Sequence, residues 1–586
     1  MNILVDPIFH PLFQALISIL LIFGSIEIGN QFSQFFFKKP NFWFLNLLVG
    51  IILISQTAYI FIIFSDIIYI ITFFSYFLLL FGIYNLFFLF KKKKLYKKNL
   101  NLIDYLIIIV FFLLFIISTG PPTMADALDY HYGVSNYLVN FNNWPATNLW
   151  LSGSLAGNGE VFSSLAIFLG SDNLGGMVQS ISLIAFCFFI TNDLSDLNKA
   201  RFIKLFIISS PVLIFLVSGP KFQLFPQILT ATAIYLTFKK KKILKEDFQI
   251  ICMLLIGATQ FKLSFVLSGI PIGIFALFKT SKFNKQVILY LTILFCFFFI
   301  PRGIWNLQQV SEPNVLSFFT PLPNSFLNLL QQFRENNYFF PINLFIPNSL
   351  GAFTTILGFQ IFLIFLIKKL PKEFKEIIFL SLIVSFLQFI FGASIARTFY
   401  ETILWISVGF IFVSSKNFKF LKISYILCIQ TICVLIVSFY GFFLISPSLI
   451  DKQNRDKVMV NYAYEYAGIK WLNKVLPKNA IVLSDLRSVS LLNRQFVPTD
   501  WLKMNHKKPY NDLEEYFAEI KQKKVNFIVI KDDNSKNHPL YKCFTNLFLK
   551  SEEFKDAKRN PFNISNSYTL KIYGFDYKKL NYCVQN

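Results

Sequence analysis

"NLIDYLIIIVFFLLFIISTGPPTMADALDYHYG", residues 101–133, decides how the chain is to be read. From Leu102 to Ser118 it is almost wholly apolar. At Gly120 it becomes a segment with two carboxylates, one histidine and no Lys or Arg. Roughly 20 apolar residues carry an α-helix across the hydrocarbon core of a bilayer. The stretch therefore predicts a membrane helix that delivers an acidic, cation-free cluster to one face.

The rest of the chain agrees. Of 586 residues, 55% are hydrophobic and only 15% charged, a composition that excludes a soluble protein of this length. A net charge of +23 would suggest nucleic acid in a soluble chain. Here the cations sit in short clusters between apolar runs, so they read as headgroup anchors and no nucleic-acid partner is expected. Five of the seven cysteines (Cys187, Cys252, Cys296, Cys428 and Cys433) lie in apolar segments as small core residues. Cys543 and Cys583 fall in a polar tail, where a disulfide, given an oxidising compartment, and two unpaired thiols both stand open. The first apolar run lacks a basic leader and a small-residue cleavage site, and reads as a retained helix.

Apolar runs place membrane helices near 8–29, 42–64, 66–90, 101–119, 173–192, 203–218, 226–238, 248–261, 263–279, 286–302, 347–367, 376–394, 398–414 and 422–445, about fourteen in all. Alternate loops then hold Lys38/Lys39, "KKKKLYKK" (91–98), Lys199/Arg201/Lys204, "KKKKILK" (239–245), Lys279/Lys282/Lys285, "KKLPKEFK" (368–375) and Lys416/Lys419/Lys422. All seven clusters fall on one side, the cytoplasmic one by the positive-inside rule. The loops between spans on the opposite face contain only Lys221, Lys262, Arg302, Arg334 and Arg397 as cations. That face also carries two long loops, 120–172 and 303–346, and everything after 446.

Within the first loop, "GEVFSSLAIFLGSDN" (159–173) is too short to span and is expected along the interface. The tail alternates helical and strand patterns: "YAGIKWLNKVL", "NAIVLSDL", "DLEEYFAEIKQKK", "VNFIVIKDD" and "YTLKIYGFD". The fold class is thus a polytopic α-helical membrane protein with a small C-terminal extracytoplasmic α/β domain. The expected divisions are 1–98, 99–445 and 446–586, in a multi-pass cell (inner) membrane protein.

Asp126 and Asp129 are three apart and share a face if this segment is helical. Carboxylates beside a low-dielectric surface gain proton affinity and can act as general bases, and His131 adds a proton carrier or partner. Asp126, Asp129 and His131 could instead be part of a divalent-metal site, the one cofactor left open, since no Gly-rich phosphate loop or zinc spacing is present. The outside cations oppose the positive-inside bias and so mark candidate anion sites. Lys221, Lys262, Arg302 and Arg397 converging at the outer leaflet would hold a lipid phosphate.

Taken in order, "PPTMADALDYHYGVSNYLV", "NGEVFSSLAIFLGSDNLGGMVQSISLIAF", "GATQFKLSFVL", "PRGIWNLQQVSEPN" and "ARTFYETILW", followed by an outside α/β tail, resemble the GT-C membrane glycosyltransferases. The likeness is to the protein mannosyltransferase and aminoarabinose transferase group and covers about residues 95–586. It implies a polyprenyl-phosphate-linked sugar as donor, a lipid, glycan or protein acceptor, and transfer on the extracytoplasmic side. It also implies Asp126 as the catalytic base, Glu160 as a second acid, and Lys262, Arg302 and Arg397 at the lipid phosphate. The sequence lacks the Asp-Glu pair of the mannosyltransferases, and Asp129 matches no family position, so the acceptor does not transfer. The competing class is a multi-pass lipid or solute transporter or flippase. It predicts ionisable residues deep in the spans and paired half-repeats, whereas the acids here cluster outside.

Overall fold

The computed structural model describes all residues except 1–2, 5, 38–41, 65–68, 92–99, 281–284, 311–314, 316, 323–339, 393–394, 504–510, 532–537, 558–566 and 585–586. The lysine cluster 92–98, Lys38/Lys39, Lys282, Arg334 and most of the second long loop lie outside the described residues.

All but one of the expected membrane segments contain α-helix. They are α1 (Pro11–Phe37), α2 (Trp43–Phe64), α3 (Ile70–Lys91) and α4 (Leu102–Ser118). Two short helices, α5 (Tyr132–Phe141) and α6 (Asn158–Phe168), lie in the first long loop. Then come α7 (Leu174–Thr191), α8 (Leu197–Ile208), α9 (Val212–Val217), α10 (Leu224–Lys239), α11 (Lys245–Phe261), α12 (Val266–Lys279) and α13 (Lys285–Gln308). The set ends with α14 (Lys372–Phe391), α15 (Ala396–Gly409) and α16 (Phe420–Ile445).

Among the described residues seven helices, α1, α2, α3, α7, α13, α14 and α16, are long and apolar enough to cross a membrane. The count of about fourteen is therefore coarser than the structure. α8 and α9 split one expected span at Ser209–Pro211, and α10 and α11 are short, enclosed helices whose side chains are almost all buried. The expected helix at 347–367 is two 3-10 segments, Leu350–Thr355 and Phe359–Leu366. Between them Gly358 takes a φ of 89°, which L side chains rarely adopt. Irregular backbone at membrane depth needs partners inside the protein. Here the Val212 N–H donates to Ile356 O at 3.1 Å and Ser210 Oγ to Leu357 O at 2.6 Å.

The first three helices are built into the core. α1 and α2 touch backbone to backbone, since a Cβ on Gly29 would sit 1.8 Å from Asn46 O and one on Gly50 1.7 Å from Ser25 O. Gln56 on α2 donates to Phe297 O of α13 at 2.8 Å and accepts from Asn158 of α6 at 2.8 Å. The expected interfacial placement of 159–173 is corrected here. Every residue of α6 from Asn158 to Ile167 is buried, because α2, α3, α5 and α7 pack around it.

The C-terminal region forms a five-stranded sheet of order β2-β1-β3-β7-β4: β1 (Ile481–Ser484), β2 (Gln495–Pro498), β3 (Phe527–Lys531), β4 (Phe544–Lys550) and β7 (Leu570–Phe575). β5 (Phe554–Lys555) and β6 (Ser567–Tyr568) make a separate small ribbon. β1 pairs in parallel with β2 and β3, while β7 runs antiparallel to β3 and β4. Helices 466–475 and 511–523 appear where their patterns predict them. Cys543 and Cys583 form a disulfide.

This region docks on the first long loop. The Tyr464 N–H donates to Thr123 O at 3.1 Å, Trp501 Nε1 to Thr147 O at 3.0 Å, and the Ser152 N–H to Asp500 Oδ2 at 3.1 Å. Arg455 and Asp172 add a buried ion pair. Loop 120–172 and the tail therefore share one face, as the alternation of cationic loops requires.

Candidate functional site

The polar segment after α4 opens in a π-helical turn, Ala127–His131, closed by the Tyr132 N–H on Ala127 O. Single π turns are rare and frequent at functional sites, because the extra residue re-aims neighbouring side chains. Asp126 and Asp129 turn towards one guanidinium, while His131 turns the other way into the protein.

Asp126 stands at the centre. Lys221 Nζ donates to its Oδ2 at 2.6 Å, Arg397 Nη1 lies 3.7 Å from the same oxygen, and Arg487 Nη2 hydrogen-bonds Oδ1. Arg487 Nε is 3.7 Å from Asp129 Oδ2. Each cation is placed by its own scaffold. Gln179 of α7 accepts from the backbone N–H groups of Gln223 and Leu224 and donates to Gly219 O, fixing the turn that carries Lys221. Gln223 and Gln227 both donate to Arg397 O and pin the start of α15.

The electrostatics run against the sequence expectation. Burial would raise the Asp126 carboxyl, but Lys221 and then Arg487 hold it far below the ordinary carboxylate range. The expected gain in proton affinity is corrected to a loss, because three cations face one carboxylate. Burial, joined by Arg397, pulls the Lys221 ammonium down to about 8. Lys262, at the end of α11, is lowered well below the usual lysine range by desolvation and by Lys221 and Arg397. Among the described residues no carboxylate forms an ion pair with it.

Glu160 and His131 form a second, buried pair, with His131 Nδ1 2.5 Å from Glu160 Oε1. Glu160 Oε2 accepts the Gly157 N–H at 2.6 Å. Burial lowers the proton affinity of His131 despite Glu160, and its Nε2 has no hydrogen-bond partner among the described residues. The Asp126, Asp129 and His131 set expected as a metal alternative does not come together, since Asp126 faces cations and His131 faces Glu160. Among the described residues no group of three or more His, Cys, Asp or Glu could hold a metal ion.

Arg302 does not join the cluster around Asp126. Its Nη1 donates to Gln260 O at 3.2 Å and its Nη2 to Ala156 O at 3.0 Å, stapling the start of α6 to the end of α11. The fit there is tight: a Cβ on Gly157 would meet Gln260 O and Phe261 O at 2.6 Å. Arg302 thus positions Glu160 and the Lys262 junction through backbone carbonyls. Arg487 was not foreseen, because an arginine in "SDLRSVS" of a basic tail carries no local signal.

Beside Arg397 opens a cavity of about 370 Å³ of mixed character, with Phe215, Leu344, Ile346 and Ile356 on its wall beside Asn343, Asn348, Thr354 and Thr355, and with Arg397 the sole charge among its described lining residues.

Fold and site together define a multi-pass membrane protein in which membrane helices and a C-terminal α/β region share one charged cluster. The chain belongs to the DUF1420 family: residues 85–459 match the DUF1420 N-terminal domain and residues 460–586 the DUF1420 C-terminal domain. None of the curated proteins matches the sequence. Among solved structures the chain is similar to ArnT from Cupriavidus metallidurans bound to undecaprenyl phosphate. The identity is 9% and the TM-score 0.39, over 80% of this chain and 97% of that one. It is also similar to ArnT of the same organism in the apo state, at 8% identity and a TM-score of 0.34 over the same shares.

Proposed function

We propose that the protein is a membrane glycosyltransferase that moves a sugar from a polyprenyl-phosphate donor to an acceptor hydroxyl on the extracytoplasmic face. The observation that carries this reading is the convergence of Lys221, Arg397 and Arg487 on Asp126, with Lys262 coupled to them. Four cations against the two carboxylates of Asp126 and Asp129 leave an excess of positive charge suited to a phosphate. The cavity beside Arg397, with its apolar wall of Phe215, Leu344, Ile346, Ile356 and Ile395 and its polar groups Asn343, Asn348, Thr354 and Thr355, has room for part of such a donor next to that cation. The Cys543–Cys583 disulfide supports an oxidising, extracytoplasmic setting for the tail.

In this reading the donor phosphate is held by Lys221, Lys262 and Arg397. The acceptor oxygen attacks C1 of the sugar, the bond from C1 to the phosphate oxygen breaks, and the electron pair leaves with polyprenyl phosphate. The cations stabilise the charge that develops on the leaving group. Asp126 takes the acceptor's proton, and the resemblance to GT-C enzymes implies inversion at C1.

Membranes containing the protein, incubated with a panel of polyprenyl-phosphate sugars, are expected to transfer one of them. Asp126→Asn should lower the rate by about 10²- to 10⁴-fold, the usual contribution of a general base. An inserted, folded Asp126→Asn variant with full activity would sink the assignment of the base. Movement of an intact donor without transfer would sink the enzyme reading.

A further inference from the structure

Arg487 comes from the α/β region yet reaches the carboxylate at the centre of the membrane site. Two explanations compete. It could serve only to dock the tail, or it could belong to the anion site.

Docking does not need it. The segment around it is already tied on both sides: the Arg487 N–H donates to Glu465 Oε2 at 2.9 Å, Ser488 Oγ to Tyr464 O, and Ser490 Oγ to Leu128 O. The Tyr464 N–H in turn holds Thr123 O. These bonds involve backbone and buried groups, whereas the Arg487 side chain is 42% exposed, and ion pairs so exposed contribute little to docking.

Its donors are also under-used. Among the described residues only Nη2 makes a hydrogen bond to a carboxylate, and Nε stands 3.7 Å from Asp129 Oδ2, beyond hydrogen-bond distance. A planar guanidinium on a fixed backbone, half open and presenting spare N–H groups beside Lys221 and Arg397, is built to take a second anion.

We infer that Arg487 is a phosphate ligand contributed by the C-terminal region, and that it exchanges between the Asp126 carboxylate and the phosphate of a bound lipid. Binding the donor and freeing Asp126 to act as a base are then one event. The inference rests on the glycosyltransferase reading and gives it an order of steps: Asp126 cannot accept a proton until the phosphate has drawn its cations away. Arg487 acts on the reaction through Asp126 and the phosphate, and Asp126 remains the proton acceptor.

The experiment measures binding of a synthetic C55 polyprenyl monophosphate to the full-length protein in nanodiscs, with inorganic phosphate titrated in parallel. Arg487→Ala should weaken the lipid's binding by about 10- to 100-fold, the range for charge-assisted hydrogen bonds, and Arg487→Lys by less. Asp126→Asn should tighten it, because the carboxylate that competes for the same cations is gone. In the Asp126→Asn background, Arg487→Ala should still weaken binding. Thermal unfolding of each variant separates these effects from misfolding, and Arg487→Lys keeps the charge should the alanine variant fail to fold. Inorganic phosphate binding as tightly as the lipid would assign the site to free phosphate and overturn the lipid proposal. Wild-type-like affinity in Arg487→Ala, or weaker binding in Asp126→Asn, would overturn the exchange while leaving the glycosyltransferase reading intact. Failure of the wild-type protein to bind the probe would remove both.

Discussion

Arg487 donates a hydrogen bond to Asp126, which lies 361 positions earlier in the chain. The pair joins the last quarter of the sequence to the first long loop, and it makes the charge state of the site a property of two regions at once. That cluster and its neighbours lead to measurable expectations.

Affinity for the polyprenyl monophosphate should depend on pH through Lys221. Its ammonium titrates at about 8 within the cluster, and a bound phosphate favours the charged form and so raises that value. Through this group binding should fall by up to about tenfold per pH unit above about 8. Titrations between pH 7 and 9.5 read the slope. Lys221→Arg should flatten it, because a guanidinium stays charged throughout, and an unchanged slope in that variant would exclude Lys221 as its source.

Arg302→Ala should behave unlike Arg487→Ala. Arg302 donates to Ala156 O and Gln260 O through its two terminal nitrogens, so its loss should lower stability by about 1.5–3 kcal/mol, the range for hydrogen bonds to a charged group. Phosphate affinity should change by no more than about threefold. Thermal unfolding and lipid titration on the same preparation check the split, and the opposite pattern would return Arg302 to the phosphate site.

The buried Arg455–Asp172 pair fastens helix 452–462 to the turn before α7. Removing one partner strands a buried charge, so Arg455→Met or Asp172→Asn should each cost about 3–5 kcal/mol. The double variant should recover much of that loss. A double variant no more stable than the singles would show that the pair is not the source of the cost.

Burial lowers the folded-state proton affinity of His131 below the unfolded value of 6.5, despite the opposing pull of Glu160. Protons then bind the unfolded state more readily, so the stability linked to His131 is complete above pH 6.5 and is lost as pH falls below it. Unfolding temperatures should drop between pH 7.5 and 5 more steeply in the wild-type protein than in His131→Asn. Parallel curves would place the pH sensitivity elsewhere.

Much of this architecture is legible in the residues. Long apolar runs announce α1, α2, α3 and α16, and the alternation of lysine clusters puts loop 120–172 and the tail on one face, where the contact of Tyr464 with Thr123 finds them. Asp126 was singled out in an acidic, cation-free segment, and Lys221 and Arg397 because cations are scarce in the loops of that face; they meet. The misses have physical causes. Periodicity carries no sign of a π turn, so the separate aims of Asp126 and His131 were hidden. The segment 347–367 is as apolar as a helix, yet Gly358 and the bonds at Ile356 and Leu357 hold it in 3-10 turns. α6 looked interfacial because its burial depends on α2 and α3, which come from far earlier in the chain. Strand β2 is four residues long and ends at Pro498, too little pattern to read. Arg302 reads as a phosphate ligand because sequence shows a charge; the two backbone carbonyls it also holds are not legible there.

The stitching of residues 487–490 to the π turn also has a meaning in time. A ribosome makes α1 to α16 before it reaches β1, so between the synthesis of Arg397 and that of Arg487 the chain can set only Lys221 and Arg397 beside Asp126. Its third cation arrives when the segment after β1 has been made and has folded onto Leu128 and Thr123. The charge balance of the cluster is therefore a record of completed synthesis: a nascent chain stopped before residue 487 can hold every membrane helix and still have an unfinished centre.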